Sequence, residues 1–349
     1  MENTEFQSRR YVIYGTGADG KGCLEYMEKM GLGGQVVGFT RHYGPDNAAT
    51  FAGRELIPLF SLKHRSDVDV IVTLGEFVTV ADILYWLRFY GKIYMYSPVL
   101  RQGRVNYSRE AIESFYADDA YTRSLVELLV SIRDGERMRI RPMESVAAFL
   151  PWERYWSYDD YNLHAYDALT VIDCGAFSGD SYLQLAARYG NKIKKYYAME
   201  PDARNLEFLR ATARNSNTGV PLEILPFGAG DQNAELRFAS TGASSQFNDD
   251  CGDETVQSRR IDDLDLAVEG KLCIKMDIEG FELRALDGAA ETLRKYSPEL
   301  AICAYHKGDD LAEIPMRISA INPGYSCVLR DGFHATCYAS TRRIETGAS

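Results

Sequence analysis

Three short stretches carry residue types that can do chemistry together. Lys275-Met276-Asp277-Ile278-Glu279-Gly280-Phe281-Glu282 puts one cation and three carboxylates into eight positions, directly after the apolar run Leu272-Cys273-Ile274. Charges this dense at the end of an apolar run are costly unless they are solvated or used. Asp277 and Glu279 have alternate spacing, so both face one side if a strand continues through them. Ala304-Tyr305-His306-Lys307 ends the next apolar run and supplies an imidazole. Neighbouring strand ends would bring Asp277 and His306 over one crevice, where either can act as a general base. The plainer alternatives are a structural His306, a helix-capping Glu279, and an Asp277 that binds a ligand's amino group. Asp277, Glu279 and His306 also suit a hard cation such as Mg²⁺ or Mn²⁺, although no divalent metal is expected.

The second stretch is Asp173-Cys174-Gly175-Ala176-Phe177-Ser178-Gly179-Asp180, a D-x-G-x-x-x-G turn between an apolar run and a helical pattern. Its glycines admit a ligand against backbone, and the free N–H groups of the following helix start, including Ser181, suit a carboxylate. Glu200 closes the next apolar run and can accept two hydrogen bonds from ribose hydroxyls. Pro201 and Asp202 follow it. Together these features suit a nucleoside with a charged tail and no phosphates.

The third stretch, Gly15-Thr16-Gly17-Ala18-Asp19-Gly20, matches G-x-G-x-x-G. The dinucleotide fingerprint also wants an acid about 20 residues on, whereas the next apolar run ends at Thr40-Arg41. A nucleotide or nucleotide-sugar at Gly15, Gly17 and Gly20 is therefore favoured over dinucleotide redox chemistry, and the plain alternative is a tight turn.

These residues need strands and helices to position them. Residues 11–16, 35–40, 68–74 and 92–96 read as strands, with helices over 20–30 and 80–90. Residues 110–150 read as helical, punctuated by Pro142 and Pro151. A second alternation follows: strands over 169–175, 195–199, 222–226, 272–276 and 300–305, helices over 180–189, 203–214, 282–296 and 311–321, and two last strands over 325–330 and 334–340. Residues 235–239 look like part of a hairpin. The fold class is α/β with two doubly wound domains, residues 1–100 and 166–349, joined by a helical and aromatic span over 101–165. Within that span, residues 152–166 hold two of the chain's three tryptophans and suit a lid, a platform for a sugar ring, or interdomain packing. Asp249-Asp250 and Asp309-Asp310 read as solvated loop acids, and Ser244-Ser245-Gln246 as a polar loop.

Composition sets the outer bounds. The chain has 349 residues, 46% hydrophobic and 26% charged, with a net charge of -11. The negative excess argues against a nucleic-acid or anionic-membrane partner. Residues 1–100 are nearly neutral, with 10 basic and 11 acidic residues, so the excess lies further on. The seven cysteines include no C-x-x-C pair, which fits buried, reduced thiols of a cytoplasmic protein. No run approaches the ~18 apolar residues of a membrane span.

The motifs VIDCGAFSGD, Glu200-Pro201-Asp202, VQSRRIDDL and KMDIEGFELRALDGA together resemble the FkbM-type S-adenosylmethionine-dependent methyltransferases. The hallmark is K-x-D-x-E-G-x-E at Lys275, Asp277, Glu279, Gly280 and Glu282, and the likeness covers about residues 169–340. Residues 10–96 resemble a companion Rossmann-like domain fused to some of these enzymes, and are similar to the nucleotide-sugar-binding domain of certain sugar acyltransferases.

The resemblance implies a class I methyltransferase fold with a mostly parallel seven-stranded sheet. It also implies O-methylation of a small polar acceptor, such as a sugar, a nucleotide-sugar or a natural product. It maps Asp173, Gly175, Phe177, Gly179 and Glu200 onto the cofactor motif, with Ala176, Asp180, Ser181 and Pro201 beside them. Asp202 borders the adenine, and Gly228-Ala229-Gly230-Asp231 closes over the ring. In this scheme His306 or Asp277 is the base, Lys275 orients or stabilises the oxyanion, and Glu279 completes the catalytic set. A homodimer is compatible with the sequence. Two other classes remain: a non-catalytic binding module in glycan or natural-product assembly, and an oxidoreductase using Gly15–Gly20.

Overall fold

The computed structural model describes residues 8–41, 49–73, 77–96, 106–133, 140–142, 155–156, 163–239, 246–247, 254–331 and 335–342. The chain divides into two compact units, one of residues 1–99 with 128–152, the other of residues 100–127 with 153–349. The span 101–165, expected as a linker, is thus shared between them. The acids Asp249-Asp250 and the pair Ser244-Ser245 lie outside the described residues.

In the first unit, β1 (Tyr11–Tyr14) is buried throughout and pairs in parallel with β2 (Val36–Thr40) and β5 (Asp69–Val72). An unbroken apolar run is what a strand covered on both faces requires. Helix α1 (Ala18–Lys29) lays Cys23, Leu24 and Met27 against Ile13, Phe39 and Ile71. The full order is β3-β4-β2-β1-β5-β6-β7. Here β3 (Thr50–Phe51) and β4 (Arg54–Leu56) form a short antiparallel pair at one edge. Next to β5 stands β6 (Ile93–Tyr96), and β7 (Ile140–Pro142) closes the other edge antiparallel to it. Strands β3, β4 and β7 carry too few residues for a period to show, and β7 lies where a helix was expected. Helix α2 (Phe77–Trp86) completes the unit.

The second unit opens with α3 (Arg109–Glu113), capped by the Ser108 hydroxyl, and the start of α4 (Ala120–Arg133). Asp119 holds this arm in place through a buried ion pair with Arg330 at 2.8 Å. The main sheet runs β10-β9-β8-β15-β16-β18-β17. Its members are β8 (Leu169–Cys174), β9 (Ile193–Met199), β10 (Leu222–Leu225), β15 (Lys271–Met276), β16 (Glu299–Cys303), β17 (Ser326–Arg330) and β18 (Thr336–Ser340). The first five are parallel, and β18 inserts antiparallel between β16 and β17. This is the expected mostly parallel seven-stranded sheet. The strand order reverses at β8, so the carboxyl ends of β8, β9 and β15 flank the crevice where open α/β sheets bind ligands. Helices α5 (Asp180–Tyr189) and α6 (Ala203–Ser216) connect the strands on one side of that reversal.

A small second sheet, β11 (Gly228–Ala229), β12 (Ala234–Ala239), β13 (Gln246–Phe247) and β14 (Glu254–Arg259), leads into β15. The helix expected over 282–296 is two helices, α7 (Glu282–Asp287) and α8 (Ala290–Tyr296). They break at Gly288, whose carbonyl accepts the Asp262 N–H at 2.9 Å. A Cβ on Gly288 would stand 1.8 Å from the Gly230 carbonyl oxygen. The break thus lets the loop after β11 lie against the helix, and Arg284 pins it through Asp231 at 2.9 Å. Helix α9 (Asp310–Ile321) then precedes β17. Six cysteines are free and buried among the described residues. No helix of the described residues is long and apolar enough to cross a membrane.

Gly288 has an ordinary helical backbone (φ -74°), so propensity alone would credit Gly288→Ala with about 1 kcal/mol of stabilisation. The collision with the Gly230 carbonyl predicts the opposite sign, a loss of about 1–3 kcal/mol, readable in urea unfolding.

Candidate functional site

The turn after β8 is shaped by backbone before any side chain acts. Gly175, Phe177 and Gly179 have φ of +78°, +46° and +87°. A Cβ on Gly175 would stand 2.0 Å from the Asp277 carbonyl oxygen, so only glycine lets the ends of β8 and β15 meet here. The N–H groups of Gly175 and Ala176 both donate to the Met199 carbonyl at 3.0 Å, and the Asp277 N–H donates to the Cys174 carbonyl at 3.1 Å. These bonds tie the three strand ends together.

Beneath the turn lies a buried ion pair. Lys275 Nζ stands 2.8 Å from Asp173 Oδ1, with the two side chains 3% and 0% exposed. The ammonium also donates to the Gly175 carbonyl at 2.7 Å, and Tyr196 donates to Asp173 Oδ2 at 2.8 Å. Burial works against the lysine's charge, but Asp173 and Asp277 outweigh it and hold the pKa above the usual lysine range. Lys275, expected to orient an oxyanion, is thus enclosed under the turn. Asp173 is enclosed with it.

Glu200 stands at the end of β9. Its Oε2 accepts the Phe177 N–H at 2.8 Å, and its Oε1 accepts the Asp202 N–H at 2.9 Å and the Asn205 amide at 3.4 Å. Burial raises its pKa, and these donors oppose the rise. Helix α5 begins at Gly179 with no side-chain cap, which leaves its first N–H groups for a ligand. Asp180 is exposed there and Ser181 buried. Asp202, expected beside an adenine, is fully buried and caps α6 through the N–H groups of Arg204 and Asn205 at 2.8 and 3.1 Å. Gly228 and Ala229 pair with β14 at the start of the second sheet.

The acidic turn after β15 differs from expectation. The strand ends at Met276, so alternate spacing does not align Asp277 and Glu279. A left-handed turn does: Glu279 and Gly280 have φ of +56° and +97°. The helix that follows, α7, has Phe281 at its N-cap and no side-chain cap. Glu282 instead accepts the Ile278 N–H at 2.9 Å. Asp277 receives Tyr155 at Oδ2 (2.8 Å) and Tyr305 at Oδ1 (3.0 Å).

His306 is enclosed by this turn. Its Nε2 lies 3.4 Å from Asp277 Oδ1 and 3.8 Å from Glu279 Oε2, and its Nδ1 lies 2.9 Å from Glu282 Oε1. These are ion-pair contacts off the line of a hydrogen bond, since neither ring nitrogen has an aligned partner. Burial lowers the His306 pKa, but Glu282, Asp277 and Glu279 together lift it to about 9. The imidazole is therefore charged at neutral pH. Asp310, expected to be solvated, is buried behind it, accepts the Lys307 N–H at 2.6 Å, and is raised to about 7 by burial and by Glu282. Among the described residues, no group of three or more His, Cys, Asp or Glu is placed to hold a metal ion.

Sequence analysis placed Tyr155 only in the aromatic stretch 152–166, assigned no role to Tyr196 or Tyr305, and missed that Glu282 faces His306. Tyr305 was visible as the neighbour of His306. Nothing in sequence joins Tyr155 to Asp277 or Tyr196 to Asp173.

In the first unit, Gly15 has φ +129° and donates to the Thr40 carbonyl at 2.9 Å. A Cβ on Gly20 would stand 2.1 Å from the Gly15 carbonyl oxygen. These two glycines are required by the turn itself. A Cβ on Gly17 would meet nothing within 4 Å.

The family model described as the methyltransferase FkbM domain matches residues 173–322. A methyltransferase FkbM from Methylobacillus flagellatus KT is 22% identical, with 96% of this chain and 90% of that chain covered and a TM-score of 0.55. A SAM-dependent methyltransferase from Aquifex aeolicus is 12% identical over 49% of this chain and 80% of its own, with a TM-score of 0.31. An SAH-bound methyltransferase from Podospora anserina is 10% identical over 50% of this chain and 72% of its own, with a TM-score of 0.29. No curated protein matches the chain.

Two stability measurements check the electrostatics. Lys275→Met leaves Asp173 buried without its cation and should cost about 3–5 kcal/mol. Adding Asp173→Asn should restore part of that loss in urea unfolding, whereas additive losses would contradict the pairing. His306 holds its proton to about 9 in the folded chain against 6.5 unfolded. Its contribution is complete below pH 6.5 and is lost as pH rises through 9. Stability relative to His306→Gln should therefore fall across that window.

Proposed function

We propose, from the premise that residues 173–322 are a methyltransferase FkbM domain, that the chain is an S-adenosylmethionine-dependent O-methyltransferase acting on a hydroxyl of a small polar acceptor. The observation that supports this best is a row of strand ends. Glu200 after β9, the Gly175–Gly179 turn after β8 and Asp277 after β15 are joined by backbone hydrogen bonds. A nucleoside site and a polar reaction site thus share one edge of the sheet.

The donor set fits the cofactor. Glu200 Oε2, which among the described residues accepts only the Phe177 N–H, retains a lone pair for a ribose hydroxyl, and the uncapped start of α5 suits a carboxylate. The bound cofactor supplies an electrophilic methyl group. The chain must hold an acceptor hydroxyl in line with it and take up the hydroxyl proton.

Asp277 is assigned the proton. It is one-fifth exposed, whereas His306 is more deeply buried and already protonated at neutral pH. His306 acts instead as the fixed cation beside Asp277 and Glu279, which keeps a carboxylate ionised. Lys275 and Asp173 shape the turn and touch no acceptor. Glu279, one-quarter exposed, faces the acceptor with Asp277. Two carboxylates with phenol neighbours suit the hydroxyls of a sugar-like or natural-product acceptor.

Calorimetry of the full chain with S-adenosylhomocysteine should show binding. Glu200→Gln should weaken it tenfold or more, as expected for about 1.5–3 kcal/mol in a charged hydrogen bond. Absence of binding by the wild type would sink the assignment. Asp277→Asn should keep that affinity while transfer falls by about 10²–10⁴. A fall in affinity instead would make Asp277 a ligand of the cofactor's amino group. Cofactor binding with no transfer to any hydroxyl would favour the non-catalytic module.

A further inference from the structure

Tyr155 reaches the site from outside the sheet. Tyr155 and Trp156 have φ of +46° and +58°, two consecutive left-handed residues that are unfavourable for side chains with a Cβ. Such backbone persists where its surroundings hold it. Trp156 is fully buried and packs edge-on against Tyr338, with ring centres 6.4 Å apart. Its carbonyl accepts a hydrogen bond from Tyr189, whose oxygen also receives the Leu163 N–H at 3.1 Å.

Beside this anchor, Tyr155 is 1% exposed. Its hydroxyl donates to Asp277 Oδ2 at 2.8 Å, and its ring lies 5.3 Å from the Lys275 ammonium. One side chain thus touches both charged residues of the β15 end. Among the other buried tyrosines of this unit, Tyr116 and Tyr325 give their hydroxyls to the backbone carbonyls of Leu311 and Pro298 at 2.7 and 2.8 Å, and Tyr196 and Tyr338 give theirs to the fully buried carboxylates of Asp173 and Asp331 at 2.8 and 3.0 Å. Tyr155 gives its hydroxyl to the partly exposed carboxylate assigned the proton.

We propose that Tyr155 is a positioning residue for methyl transfer: its hydroxyl fixes the Asp277 carboxylate from the Oδ2 side, as Tyr305 does from Oδ1, and so sets how strongly Asp277 holds a proton. This rests on the assignment of Asp277 as the proton acceptor. With one phenol on each oxygen the plane of the carboxylate is held. A donor to the charged form of a carboxylate lowers its pKa. Removing the phenol oxygen should therefore raise it, with the ring still in place over Lys275.

The test is Tyr155→Phe in the full chain, which deletes one atom and keeps the ring. Carboxyl-labelled aspartate is titrated by ¹³C NMR, and the Asp277 signal is the one missing in Asp277→Asn. The proposal expects the Asp277 midpoint to move up while S-adenosylhomocysteine affinity stays within about twofold. With an acceptor in hand, kcat should fall about tenfold or more at unchanged KM, and the acid limb of its pH profile should rise in parallel. An unmoved midpoint overturns the proposal. Joint loss of cofactor affinity and of the titration assigns Tyr155 to packing alone and also overturns it. Failure of the wild type to methylate any hydroxyl refutes the proposed function and leaves the titration result standing.

Discussion

A lysine ammonium and an aspartate carboxylate, both out of reach of water, stand 2.8 Å apart where the strand order of the main sheet reverses. Neither charge is affordable alone at that depth. Their mutual need fixes Lys275 on β15 against Asp173 on β8, two residues that are register partners. The same ammonium reaches the Gly175 carbonyl and so fixes the first residue of the turn. From there the constraint spreads by backbone: Gly175 and Ala176 bond to the end of β9, and Asp277 bonds to the end of β8. The strand-end groups around the crevice are held by a pair enclosed beneath the turn.

A second charge cluster sits on top of the first and has a different character. Lys275 is matched closely by one carboxylate. His306 is ringed by Asp277, Glu279 and Glu282, with Asp310 behind. Acid outnumbers base there, so the cluster holds a proton on the imidazole and keeps negative charge at its partly exposed rim. Asp277 belongs to both groups, since it also supports the charge of Lys275. It is the residue through which turn, cluster and aromatic segment communicate.

By itself the sequence determined the sheet, the glycine turns and the strand-end acids. Buried parallel strands are continuous apolar runs, and their periodicity and punctuation are local properties. Hence β8, β9, β15 and β16 were legible to within a residue or two, and Asp173, Glu200, Asp277 and His306 stood out as polar residues ending them. The short edge strands β3, β4 and β7 were not legible, because three residues or fewer carry no period. The break at Gly288 was hidden because its cause is a carbonyl 58 residues earlier in the chain.

Only the tertiary structure decided what each charge does. Sequence spacing cannot say that Lys275 lies beneath the turn, that Asp202 caps α6, or that Asp310 is buried. Each depends on which surface a neighbouring element covers. Nor could spacing align Asp277 with Glu279, since the strand stops at Met276 and a left-handed turn brings them together. The protonation of His306 and the reach of Tyr155 across 122 residues to Asp277 follow from burial and proximity, which exist only once the chain is folded.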